Sequence, residues 1–195
     1  MASAPSRGTT SVWLDDEYRY GRITRLLHWS MAAILAWQLG GMLVKLAIGR
    51  TPLTAFLVGT HVPLGAVLMA LVLARVAWAL VNLRRRPSHG TGLAGLAVRL
   101  GHGLLYLLML VIPALALMRH YGSGRALKPF GIPIWEAAPG RDIAWMRPPA
   151  EMLHGPLGWM LLVLIVGHVV AALAHRFVLD DGVLARMLGR GSSAT

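Results

Sequence analysis

An all-α fold, a bundle of four transmembrane helices, follows from three features of this sequence. Hydrophobic residues fill 56% of its 195 positions and charged residues only 14%, where a soluble domain carries about 25% charged residues. The mean hydropathy is +0.59. The apolar residues also gather into four long runs, each exceeding the ~20 residues that cross a ~30 Å hydrocarbon core.

Met1 to about Tyr20 is polar, with Asp15, Asp16 and Glu17, and is expected to be a largely disordered extension. The late start and full helix length of the first apolar run argue against a cleavable signal peptide. The runs extend from about Ile23 to Ala47, Leu53 to Leu83, Leu96 to His120 and Met152 to Val178. Gly40, Gly41, Pro63 and Pro113 inside them do not oppose helix in a membrane. Gly49 to Thr51 reads as a short turn, and Arg84 to Gly95 as a basic connection. Tyr121 to Glu151 reads as a long Gly-, Pro- and Trp-containing loop whose Trp135 and Trp145 suit the headgroup region.

The net charge of +11 invites a nucleic-acid partner, but its distribution fits membrane topology better. Arg19, Arg22 and Arg25 precede the first run, and Arg84, Arg85, Arg86 and Arg99 lie between the second and third. Arg176, Arg186 and Arg190 follow the fourth. Lys45, Arg50, Arg119, Arg125, Lys128, Arg141 and Arg147 fall on the opposite side, mostly in a long loop where charge counts less. Both termini are therefore expected in the cytoplasm, with no nucleic-acid partner. The expected organisation is a cytoplasmic extension over 1–20, a membrane domain over 21–180 and a cytoplasmic tail over 181–195.

No cysteine is present, which excludes disulfides, thiolate metal sites and covalent haem attachment. Histidine, at eight positions, is the residue left to hold a metal or cofactor. Ionisable groups within a bilayer are expensive and tend to be functional. The first helix runs outward with His28 near its start, and the second runs inward with His61 near its start. The fourth runs inward with His154 near its outer end and His168 fourteen residues deeper. Fourteen residues are nearly four turns, about 21 Å, so both side chains return to almost one face.

His61 thus matches His154 in depth, and His28 matches His168. A lone membrane histidine is more often a hydrogen-bonded polar group or part of a proton path. Four that match in two pairs point instead to two haems stacked along the bundle, each between imidazoles from facing helices. A metal transporter would be expected to add carboxylates, and no Asp or Glu lies within these runs.

Gly65, Gly158 and Gly167 beside these histidines suit a flat macrocycle, though small residues also serve helix contact. Arg75, fourteen residues after His61, shares its face near the inner surface. It is either a clamp on the propionates of the inner haem or an arginine reaching to headgroups.

The stretches "YGRITRLLHWSMA", "GTHVPLGAVLMALVLARVAW", "RLGHGLLYLLMLVIPALAL" and "LHGPLGWMLLVLIVGHVVAALAHRFVLDDGVLARML" resemble the bacterial cytochrome b561 family. The likeness covers nearly the whole chain except its first fifteen or so residues and parts of the long loop. It implies a four-helix bundle enclosing two b haems in the bacterial inner (cytoplasmic) membrane. The family's iron ligands fall at His28, His61, His154 and His168, paired His28 with His168 and His61 with His154.

The resemblance also implies electron exchange with the ubiquinone pool, superoxide being one known electron source. His102 reads as a polar contact near the inner haem and not a ligand. His175 is a candidate for quinone hydrogen bonding or proton exchange, or a histidine at the membrane surface; His89 and His120 are expected to be solvated. Lys128, Arg125, Arg141 and Arg147 would draw an anion to the outer face or contact headgroups.

The leading expectation is an oxidoreductase that oxidises superoxide and reduces ubiquinone. The alternative is a haem-bearing anchor relaying electrons for a separate dehydrogenase or a periplasmic redox partner. A haem-free scaffold would require the four histidines to be incidental.

Overall fold

A computed structural model describes residues 12–16, 19–83, 85 and 92–189. Their main elements are six helices: α1 (Arg22–Ile48), α2 (Pro52–Gly59), α3 (His61–Val81), α4 (Gly92–Gly122), α5 (Pro148–Phe177) and α6 (Val183–Leu188). Four spans are long and apolar enough to cross a membrane: α1, α2 with α3, α4, and α5 with the short turn before it. The fold is the expected all-α four-helix bundle. Large apolar side chains such as Leu46, Leu73, Leu107 and Val163 point outward. A surface this apolar suits lipid and would associate in water.

The helix ends are set by local chemistry. Gly49 leaves α1 at φ 72, a backbone region that glycine enters without a Cβ clash. Thr51 and Thr54 then cap each other reciprocally and Pro52 occupies the first turn of α2, satisfying donors that a helix start leaves unpaired. α5 begins on Pro148 with Glu151 in its first turn and has Arg176 in its last, both charges favourable to the helix dipole. Glu151 therefore belongs to the helix and not to the loop, and it faces Arg119 at 3.6 Å.

The second span is not one helix. The Thr60 hydroxyl donates to the Leu57 carbonyl at 2.8 Å, competing with the backbone bond that would continue the helix. Pro63 has no N–H for the Gly59 carbonyl. The chain breaks at Thr60 and restarts at His61, so this histidine opens a helix instead of lying within one.

The N-terminal segment departs from the disordered extension expected of it, as far as it is described. Asp15 is 3% exposed and its carboxylate accepts the Gly21 N–H at 2.8 Å. The Arg22 N–H donates to the Val12 carbonyl at 3.0 Å, and the Asp15 N–H to Oδ1 of fully buried Asn82 at 3.3 Å. The segment thus satisfies the open N–H groups at the start of α1 and ties them to the end of α3. The rest of residues 1–20, with Arg84, Arg86, His89 and Arg190, lies outside the described residues.

α1 packs on α3, α3 on α4 and α4 on α5, while α6 folds back against α5. The core comprises Met31 and Leu35 of α1, Leu68 and Val72 of α3, Leu108, Met109 and Ile112 of α4, and Leu161 of α5. On each of α1, α3 and α5 these residues fall between the polar groups nearer the helix ends. The start of α1 and α6 meet at one face of the bundle, where the Trp29 indole N–H donates to the Met187 carbonyl at 3.2 Å.

Candidate functional site

Two imidazole pairs face each other across the bundle at different depths. The ring centres of His61 and His154 lie 5.9 Å apart, with planes at 70°. Those of His28 and His168 lie 6.2 Å apart, with planes at 58°. Two imidazoles on opposite sides of one metal ion, each at a bond length of about 2 Å, place their ring centres roughly 6 Å apart. Leu161, seven residues from both His154 and His168, belongs to the apolar layer between the pairs.

The surroundings fit a planar metal-bearing group better than a bare ion. Among the described residues, no group of three or more His, Cys, Asp and Glu side chains converges to hold a metal ion. A Cβ added at Gly158 or Gly167 would meet nothing within 4 Å, and one at Gly65 would meet only the Gln38 amide nitrogen at 3.5 Å. Three positions beside the histidines therefore present bare helix surface.

Each pair has outer partners. His154 Nδ1–H donates across to the Ile112 carbonyl of α4 at 3.3 Å, which leaves its Nε2 as the free ring nitrogen. Such a contact fixes the tautomer and orientation of a metal-binding imidazole. Gln38, 8% exposed in the middle of α1, donates its amide to the His61 carbonyl at 3.0 Å. Sequence reasoning passed over Gln38, although one glutamine in an apolar run is itself a signal.

At the other pair, the His102 ring stands edge-on to His168 at 5.2 Å. Its Nδ1–H donates to the Val98 carbonyl at 2.7 Å.

Arg75 is 8% exposed and turned inward, its guanidinium donating to the Thr24 carbonyl at 2.5 Å. The Trp78 indole donates to the hydroxyl of the same threonine at 2.9 Å, one turn from His28. No carboxylate among the described residues pairs with Arg75. A buried guanidinium with most of its donors open suits an anionic partner on a ligand.

The remaining expectations fare unevenly. His175 meets Asp181 near the end of α5, with 2.5 Å between Nδ1 and Oδ2. His120 is not simply solvated, because its Nε2–H donates to the Ala126 carbonyl at 2.7 Å and its ring borders Trp135. Of the long-loop cations, Lys128 pairs with Glu136 at 2.8 Å and Arg147 with Asp142 at 3.3 Å. Arg141 lies over the Tyr121 ring at 4.3 Å, while Arg125 has no acidic or aromatic partner of these kinds among the described residues. The long loop is held by partners eight and five residues apart.

Four membrane-spanning helices that turn paired imidazoles inward define a class, the helical bundles of membrane electron transfer. The prokaryotic cytochrome b561 family matches residues 19–190. The chain belongs to that family, and membership implies membrane electron transfer and b-type haem binding.

"Cytochrome b561 homolog 2" of Escherichia coli (strain K12) is 31% identical over 185 residues, covering 90% of this chain and 94% of that protein. "Cytochrome b562" of Cereibacter sphaeroides is 29% identical over 181 residues, covering 90% and 98%. "Probable superoxide oxidase CybB" of Yersinia pestis is 28% identical over 134 residues, covering 66% and 72%.

Proposed function

We propose that this chain is a dihaem cytochrome of the bacterial inner membrane that oxidises superoxide at its outer face and reduces ubiquinone near its inner face. The observation that carries the reading is the pair of imidazole couples, 5.9 Å and 6.2 Å between ring centres, separated by a packed apolar layer. His61 with His154 would hold the outer haem, and His28 with His168 the inner one. Haem held between two histidines would supply one-electron exchange and not oxygen binding.

The chain's own residues do the rest. His154, held by the Ile112 carbonyl, keeps Nε2 turned to the iron side. Arg75 supplies guanidinium donors for propionates at the inner pair, and His102 packs against His168. The apolar layer excludes water between the two depths. Two superoxide anions release two electrons and two molecules of oxygen, and quinone takes up two electrons and two protons to give quinol. His175, beyond the inner pair, would meet the quinone headgroup and exchange protons with the cytoplasm.

Superoxide as donor is supported by the name of one relative and by basic residues outnumbering acidic ones at the outer end, Arg125 foremost. Cytoplasmic placement of both termini follows from the arginines at that face. A relay for a separate dehydrogenase or periplasmic redox protein is favoured by a different observation. Phe130, Ile132 and Ile134 of the outer loop are exposed and would suit a docking surface.

A reduced-minus-oxidised spectrum with haem quantification tests the central claim, with two b haems per chain expected. One or none would end it. Superoxide consumption by the purified chain with ubiquinone separates the two readings, since a relay subunit alone would not exceed spontaneous dismutation.

A further inference from the structure

A second built cluster of ionisable groups lies where α5 ends. His175 Nδ1 is 2.5 Å from Oδ2 of Asp181, and the other oxygen of that carboxylate accepts the Val183 N–H at 3.2 Å. Asp181 is thus held by α5 on one side and by the first residue of α6 on the other. The turn between them is shaped for this contact. Gly182 sits at φ 72 and Asp180 at φ 44, the latter paired with Arg176 at 2.7 Å. The Asp181 N–H returns to the His175 carbonyl at 3.4 Å. α6 is in turn fastened to α1 through Trp29 and the Met187 carbonyl, one residue beyond His28. The tail is a hook that carries one carboxylate to one imidazole, two helical turns past His168.

We propose that Asp181 is a positioning residue for proton transfer at the inner site. Its carboxylate takes the Nδ1–H of His175 and directs Nε2 toward the quinone headgroup. The inference rests on the quinone reading above. A carboxylate on one ring nitrogen fixes the tautomer and stabilises the imidazolium formed when the other nitrogen is protonated. For each quinone reduced, Nε2–H gives up a proton twice and is twice re-protonated from cytoplasmic water. These two protons accompany the two electrons, so quinone leaves as quinol and His175 returns to its starting state.

The charged neighbours of the pair are Arg176 and Asp180 on the same turn and Arg186 on α6; Arg25 of α1 lies farther along α6, beside Gly189. At the inner end of α4 stand Arg99 and His102, the latter occupied by Val98 and His168. Burial alone would raise the Asp181 carboxyl. The His175 hydrogen bond, the Val183 amide and the charges of His175 and Arg186 outweigh it and hold the group below the ordinary carboxylate range.

The test uses the full haem-loaded chain in lipid vesicles and follows haem reduction by a short-chain ubiquinol across the pH range where imidazoles titrate. In Asp181→Asn, haem content and the dithionite-reduced spectrum stay as in the wild type. The quinol-driven rate falls about ten- to hundredfold, the usual effect of losing a carboxylate behind a working histidine. Its pH profile differs from that of the wild type, since the carboxylate behind the working imidazole is gone. Asp181→Glu restores most of the rate. The double variant His175→Gln/Asp181→Asn is no slower than His175→Gln alone.

Asp180→Asn loosens the same turn by breaking its ion pair with Arg176 and leaves rate and profile unchanged. A wild-type rate and pH profile in Asp181→Asn would overturn the proposal, as would equal slowing in Asp180→Asn. If oxidised wild-type haem that dithionite can reduce takes no electrons from ubiquinol, the quinone reading fails and this inference falls with it.

Discussion

His61 and His154, 93 residues apart in the chain, bring their imidazoles together between α3 and α5 with 5.9 Å between ring centres. Only His154 has its Nδ1 occupied, by the Ile112 carbonyl. Under the dihaem proposal, replacing either histidine by alanine removes one haem of two and leaves the pair at His28 and His168 loaded. Haem quantification and the reduced spectrum of each variant check this. Loss of both haems, or of the inner one alone, would show that the pairing is wrong.

Arg75 bears on the other pair. Its buried guanidinium favours an added electron nearby and offers a fork for propionates. Arg75→Leu is expected to lower the midpoint potential of the inner haem by roughly 60 mV, a tenfold shift in the ratio of oxidised to reduced iron. Arg75→Lys keeps a charge but not the fork, and should fall between the two. A redox titration resolving the haems decides it, and an unmoved inner potential in Arg75→Leu would place propionates elsewhere.

The four spans and both histidine pairs were legible in the sequence because the bilayer imposes simple rules. Each crossing demands a long apolar run, and fourteen residues on one helix return a side chain to the same face nearly four turns deeper. Contacts between distant or irregular segments were not legible. Nothing around Asp15 announces that its carboxylate will cap a glycine six residues on and bind α3 through Asn82. The break at Thr60 needs two weak signals acting together, a threonine hydroxyl and the missing N–H of Pro63. Asp181 gave no sign of meeting His175, because a turn through Asp180 and Gly182 at positive φ carries it back.

Leu161 is 4% exposed and lies between the two pairs. Leu161→Ala is expected to destabilise the bundle by about 2–4 kcal/mol, the lost contacts plus the cavity left behind. Thermal unfolding in detergent measures the loss. Both haems should still bind, because neither pair of ligands is altered. Loss of haem at temperatures where the variant remains folded would give this layer a part in holding the cofactor.

Gly21→Ala should disturb the N-terminal segment. A Cβ there would stand 2.3 Å from the Trp13 carbonyl oxygen, closer than any real contact, so the segment must lift off the start of α1. The cost is expected at about 1–3 kcal/mol from the donors left unpaired. Protease sensitivity around residues 12–21 should rise, with the haem spectrum unchanged. A variant as protected as the wild type would mean the segment can repack.

The last prediction concerns acid. Asp181 titrates below its unfolded value because the His175 hydrogen bond and nearby positive charge outweigh the opposing effect of burial. A depressed carboxyl stabilises the folded hook above its unfolded pKa, and that contribution is lost as pH falls through the folded value. The hook should therefore stay docked through neutral and mildly acidic conditions. It should loosen only below the ordinary carboxylate range, when the group that binds His175 and Val183 becomes protonated. Amide exchange at Val183 and through α6 reads this out. Asp181→Asn should show the fast exchange already at neutral pH, with little further change on acidification. If wild type and variant exchange alike at neutral pH, the carboxylate is not what fastens the tail.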